Sequence, residues 1–358
     1  MNKKFTAIGL SLFLAMTVVL SGCGSKQDPK EALQSAAGNA MTMTSYEMKS
    51  KVVIEDLKIN APELTGNDSV SGTVMSMLKN AELTVDGVYQ LDPMQTELTL
   101  GLNLKGDMAM SFNIPMVMTK EKVYIKVPSI PMLPLPETVV GKYVELDLKK
   151  LAAEEGTEFN LDAIDPKKTQ KLTNEISGAF FTEFDGAKYF KDIAVKDANL
   201  PEGVEAKQVA QFNITNDNVK EAITILVEKV LPNILTIVEK DEYKEMLGVT
   251  AEDIKTVKDE LNTANKDEFN KALEELKSYL KVNTFSVNTA INKKGFPAYQ
   301  DVVMNIELND PETKQDVKLA LKGSSQYNKI NEKQTFVIGI PEAANVLTME
   351  QFQQAFGN

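Results

Sequence analysis

The side chains in this sequence that could do chemistry are of few kinds. Sixteen methionines and fifty-one acids stand beside no histidine, no tryptophan and a single cysteine, and lysine supplies every positive charge, since the chain holds no arginine. Without imidazole there is no Ser-His-Asp triad and none of the common zinc, iron or type-2 copper ligand sets. Without guanidinium there is no bidentate grip on phosphate. Eleven of the sixteen methionines lie between Met41 and Met132, and they include the pairs Met41/Met43, Met75/Met77, Met108/Met110 and Met116/Met118. In a strand, residues two apart share a face. Such pairs fit an adaptable apolar surface for a ligand, thioether ligation of Cu(I), or plain core filling.

The other constellations are weaker. Glu145/Asp147, Glu154/Glu155 and Asp310/Glu312 lack the spacing of an EF-hand loop and suit a solvated face. Ser76-x-x-Lys79 and Ser286-x-Asn288 match two short elements of penicillin-recognising enzymes, but the K-T-G element is absent. The expectation is a non-catalytic protein with no metal and no cofactor. The formal charge of -12 becomes -14 when Lys3 and Lys4 are removed with the leader, so polyanions are repelled and nucleic acid is not expected as a partner.

Cys23 gains meaning from its context. Lys3 and Lys4 precede an apolar stretch from Phe5 to Leu20, the layout of a signal peptide. The stretch ends in Leu20-Ser21-Gly22-Cys23, which resembles the lipobox read by bacterial lipoprotein signal peptidases. That resemblance implies cleavage before Cys23, covalent lipid on its sulfur, and an anchor on the extracytoplasmic face of the cell membrane. Two or three acyl chains suffice for stable anchoring. The arginine-free, lysine-rich and asparagine-rich composition points to a low-GC Gram-positive source.

Residues 23–44 read as a lipidated tether with a short helix that starts at Pro29. From Tyr46 the hydrophobic period becomes two, through Met48 to Ile54, Ala81 to Val85, Leu98 to Leu104, Met108 to Ile114, Val123 to Val127 and Tyr143 to Leu148. Gly106-Asp107 reads as a tight turn. Pro128 to Pro136 holds four prolines and must be a stiff apolar loop, either a lid carrying Ile130, Met132 and Leu133 or a buried crossover. Residues of about 161–280 are predicted to be helical. Asn218 with Glu221 and Thr250 with Asp253 mark helix starts, Pro232 marks a kink, and a strand pair is expected near Ile193 to Val195 and Val204 to Ile214. Strands return at Phe285 to Ile291, Val302 to Leu308, Val317 to Leu321 and Thr335 to Ile340, and a helix from Met349 closes the chain. The order strands, helices, strands predicts one α+β domain over 45–358.

Three stretches carry a further resemblance: Tyr46 to Ile59; Val123-Tyr124-Ile125-Lys126-Val127 leading to Gly141-Lys142-Tyr143-Val144-Glu145-Leu146; and Ile291 to Tyr299 with its Lys293-Lys294-Gly295 turn. Together with the lipobox they resemble the LolA/LolB-like lipoprotein carriers and lipid-binding lipoproteins. The resemblance implies a large curved antiparallel sheet, built from N- and C-terminal strands and covered by helices from the middle of the chain, around an apolar site for acyl chains. Leu98, Leu100, Leu102, Met108, Met110 and Phe112 are the expected lining. The alternative is an envelope sensor whose partner is another protein.

Overall fold

A computed structural model describes residues 27–60, 78–105, 109–130, 135–154, 166–263, 266–311 and 315–356. The alternation at the start of the mature chain forms strands β1 (Ser45–Asn60), β2 (Glu82–Gln90), β3 (Gln95–Leu104), β4 (Met110–Thr119), β5 (Lys122–Lys126) and β6 (Tyr143–Asp147). Later strands are β7 (Phe190–Ile193), β8 (Gln208–Ile214), β9 (Leu280–Ile291), β10 (Pro297–Asp310), β11 (Gln315–Asn328) and β12 (Val346–Thr348). They form one twelve-stranded sheet in the order β12-β6-β5-β4-β3-β2-β1-β11-β10-β9-β8-β7, so strands from both ends of the sequence meet at β1 and β11. Pairing is antiparallel from β1 through β6 and from β7 through β10, and β12 joins β6 in parallel. The fold class is α+β, as the patterning predicts.

The helices are α1 (Pro29–Ala40), α2 (Leu148–Glu154), α3 (Pro166–Glu183), α4 (Gly186–Tyr189), α5 (Val219–Ile225), α6 (Leu231–Val238), α7 (Asp241–Leu247), α8 (Ala251–Thr263), α9 (Lys266–Tyr279) and α10 (Met349–Gln354). Asp28 caps α1 by accepting the N–H groups of Lys30 and Glu31, and Pro29 follows where its missing donor costs nothing. The Thr250–Asp253 box forms as predicted, each side chain accepting from the other residue's N–H.

The chain divides into two compact units. The first comprises, among the described residues, those of 27–42, 57–60 and 166–322. Its described core packs Ala210, Phe212 and Ile214 of β8 and Phe285 and Val287 of β9 against α1, α3, α5 and α9. The second comprises, among the described residues, those of 43–56, 78–154 and 323–356. It holds β2 to β6, β12 and α10, with a smaller cluster of Val127, Val139 and Val144 beside Leu135, Leu347 and Phe352.

Several expectations need correction. Leu148 opens α2 instead of extending β6. The pair expected near 193–195 and 204–214 is β7 and β8, which finish the sheet, while Val195–Asp197 forms a 3-10 turn. Asn218 makes no cap to its helix, because its Oδ1 accepts from the Thr215 N–H instead. Around Pro232 the helix runs on without a break from Val219 to Val238, and the missing proline donor coincides with a π-helical turn over Leu226–Val230, the kind of irregularity that accompanies a kink. Residues 335–340 make no strand, since the N–H groups of Val337, Ile338 and Gly339 go to a single carboxylate. The Gly106-Asp107 turn lies outside the described residues.

Candidate functional site: the uncharged face of β1 to β6

Antiparallel register turns separate alternations into one surface. Tyr46 lies opposite Tyr89, Tyr89 opposite Thr96, Thr96 opposite Met118 and Met118 opposite Val123. The next row on the same face runs Met48, Gly87, Leu98, Met116, Ile125, Val144. Two more rows follow, Ser50, Val85, Leu100, Ile114 and then Val52, Leu83, Leu102, Phe112. None of these side chains is charged. Glu47, Lys49, Lys51, Glu82, Asp86, Glu97, Lys122, Lys126, Glu145 and Asp147 all occupy the intervening positions and so the opposite face.

This segregation places the predicted lining residues together. Leu98, Leu100 and Leu102 follow one another along β3, Phe112 lies opposite Leu102, and Met110 lies opposite Leu104. All of them are half-buried, and Val52 and Leu83 reach 36% and 39% exposure, so the face is more open than a closed core. Along β3, Thr96 to Leu104 spans roughly 27 Å of strand, ample for an extended acyl chain. Gly87 gives the face a notch, because a Cβ there would lie 2.5 Å from the Leu98 Cδ2 that leans over it.

The face has a polar end. Tyr46 sits 5.1 Å from Tyr89, tilted by 33°, and 5.4 Å from Tyr327 in an edge arrangement at 81°. Burial, helped by the neighbouring Tyr327 and Tyr89, pushes the Tyr46 phenol from its ordinary 10.0 up to about 12. Burial also raises Tyr327. The sequence marks Tyr46, Val85, Ile114 and Met116 as members of alternating runs or methionine pairs, but Tyr89 and Tyr327 did not stand out in it. Their alternation is visible there, but the register that aligns them is not.

Other sequence candidates are dispersed. Cys23 with Leu20, Ser21 and Gly22 lies outside the described residues, as do Met108 and the lid positions Met132 and Leu133. Ile130 is half-buried in the segment after β5. Of the serine-lysine pattern, Ser76 is outside the described residues and Lys79 pairs with Asp56 at 3.3 Å. Ser286 is buried, and Asn288 is engaged structurally, donating to Asp301 and accepting from Gln211, both at 2.8 Å. Glu145 pairs with Lys122 at 2.9 Å. Among the described residues, no group of three acidic or thiol side chains could hold a metal, and no helix is long and apolar enough to cross a membrane.

No family model matches the chain, and no curated protein matches it. The crystal structure of a bifunctional dehydratase-cyclase domain in ambruticin biosynthesis aligns over 90% of this chain and 82% of its own, at 9% identity and a TM-score of 0.11, a likeness too low to carry any argument about fold or activity.

Proposed function

We propose that this protein is a non-catalytic lipoprotein, anchored through Cys23 on the extracytoplasmic face of the membrane, that binds a hydrophobic or amphiphilic ligand on the uncharged face of β1 to β6. The observation that carries the reading is the segregation of charge by register across the four paired rows: Leu, Met, Val, Ile and Phe on one face and the acids and lysines of those rows on the other, with Asp56 and Lys58 of β1 returning to the apolar parity only beyond Val53. A contiguous apolar surface that stays partly open marks an interaction site. Unbranched, flexible methionines such as Met48 and Met116 suit a ligand of variable shape. Each aliphatic side chain that completes its burial under a ligand contributes up to about 1.5–3 kcal/mol.

The test is native mass spectrometry with lipid extraction on the chain beginning just after Cys23, purified gently from its source. Stoichiometric lipid is the expected result. A bare protein that also ignores added lipid would sink the reading. The second reading, an envelope sensor that binds protein, is favoured by one observation: Val337 is 87% exposed and Ile340 56% exposed on a segment whose backbone is pinned beside them. Co-purification of a stoichiometric protein, with no lipid, would favour it.

A further inference from the structure

Glu97 belongs to the charged face of β3, yet it is only 3% exposed. Its Oε2 accepts the N–H groups of Val337 at 2.8 Å and Ile338 at 2.9 Å, and its Oε1 accepts that of Gly339 at 2.6 Å and, more weakly, the Gln95 Nε2 at 3.4 Å. Three successive backbone donors closing on one carboxylate form a nest, the arrangement that holds an anion. Gly339 makes the turn possible, with φ at +69°. Here the anion is the protein's own side chain.

The segment so held is tied at both ends. Before it, the Asn331 N–H donates to the Ser45 carbonyl at 2.8 Å, and Ser45 Oγ donates to the Glu332 carbonyl at 2.7 Å. After it, Lys142 Nζ donates to the Ala344 carbonyl at 2.8 Å, and β12 pairs with β6. Between the ties, Val337 and Ile340 face outward while Phe336 and Ile338 are half-buried, so closure draws on some apolar burial as well as on the nest. It also carries a cost, because Gln334 Oε1 is buried with no hydrogen-bond partner among the described residues. Among the described residues, the Glu97 nest supplies the hydrogen bonds that fasten the middle of the segment to the sheet. In the same transverse row of the sheet as Glu97 lie Val88, Val117 and Tyr124, and Val117 is 0% and Tyr124 7% exposed.

We propose that residues 332–342 are a strap that opens independently of the sheet, that Glu97 is its fastener, and that opening bares Val117 and Tyr124 as an apolar strip on the charged face. This does not depend on lipid binding at the opposite face. The experiment is native-state hydrogen exchange on the whole protein, with Glu97→Gln and Glu97→Ala beside the unaltered chain. In the unaltered protein, the amides of Val337, Ile338 and Gly339 exchange through an opening that leaves β3 and β4 protected. Glu97→Ala speeds their exchange about tenfold or more, the effect of losing charge-assisted hydrogen bonds, and Glu97→Gln, which keeps one acceptor oxygen, falls between. Exchange of the strap amides only together with those of β3 and β4 in the unaltered protein would overturn the proposal, and so would strap rates that Glu97→Ala leaves unchanged. If Glu97→Ala does not fold, the unaltered protein still decides the matter.

Discussion

The two compact units treat the same raw material, alternating strands, in opposite ways. In the first, Phe212 of β8 lies in a ring of aromatic neighbours, with Phe180, Phe184, Phe190 and Tyr189 at centroid distances of 5.3, 5.4, 5.3 and 6.2 Å, and the described residues of that core are closed. In the second, Leu98, Leu100 and Phe112 lie on a face that stays half-open and is lined by flexible or aliphatic side chains. Aromatic rings locked edge to face specify one packing. Aliphatic and thioether side chains on an open face can repack around a guest. The first arrangement is suited to holding the molecule's shape, and the second to changing its occupant.

The largest effect that would test this contrast is expected from Phe212→Ala, which should cost about 3–5 kcal/mol in denaturant unfolding because the ring's neighbours cannot collapse into its space. Next in size, Leu98→Ser, Leu100→Ser and Phe112→Ser should each cost only about 1–1.5 kcal/mol of stability, because their side chains are half-exposed already. Combined, they should weaken displacement of a hydrophobic dye about tenfold or more, a loss of roughly 1.4 kcal/mol. A cost for Leu100→Ser as large as for Phe212→Ala would mean that the open face is an ordinary core.

The smallest effects concern pH. Tyr46 has its folded pKa raised to about 12 from 10.0, so the stability its burial contributes is complete below pH 10 and is lost as pH rises towards 12. Tyr46→Phe should leave neutral stability nearly unchanged and flatten that alkaline loss in denaturant melts; identical curves would show that the ring is not desolvated. In the first unit the sign reverses at Glu175. The Lys240 ammonium at 2.5 Å, and then the Tyr243 hydroxyl that donates to it at 2.9 Å, hold its carboxyl below the ordinary 4.5. That contribution is present above pH 4.5 and disappears as pH falls through the depressed value, so Glu175→Gln should remove part of the acid sensitivity.

Much of the fold is legible in the chain because period-two alternation survives translation into strands. Tyr46 to Ile54 and Leu98 to Leu104 announce both their conformation and their apolar face. What is not legible is long-range partnership. Nothing local tells that Thr335 to Ile340, alternating like a strand, will spend three N–H groups on Glu97, 240 residues and more away. Nothing in Tyr327 announces Tyr46. The predicted lining residues share a face because parity is local, whereas the tyrosine end requires β11 to lie beside β1.

That neighbourhood of β1 and β11 also shapes how the protein is made. Ser50 Oγ and Ser325 Oγ meet at 2.8 Å across a separation of 275 residues. Strands β2 to β6 are joined largely by short connections and can pair as they emerge, but the outer edge of β1 waits for almost the whole chain. Synthesis arrested before residue 315 would leave Glu97 with none of its three backbone donors and β1 with an open edge ready for a stray strand. A copy lacking residues 315–339 therefore carries an exposed carboxylate and a bare edge.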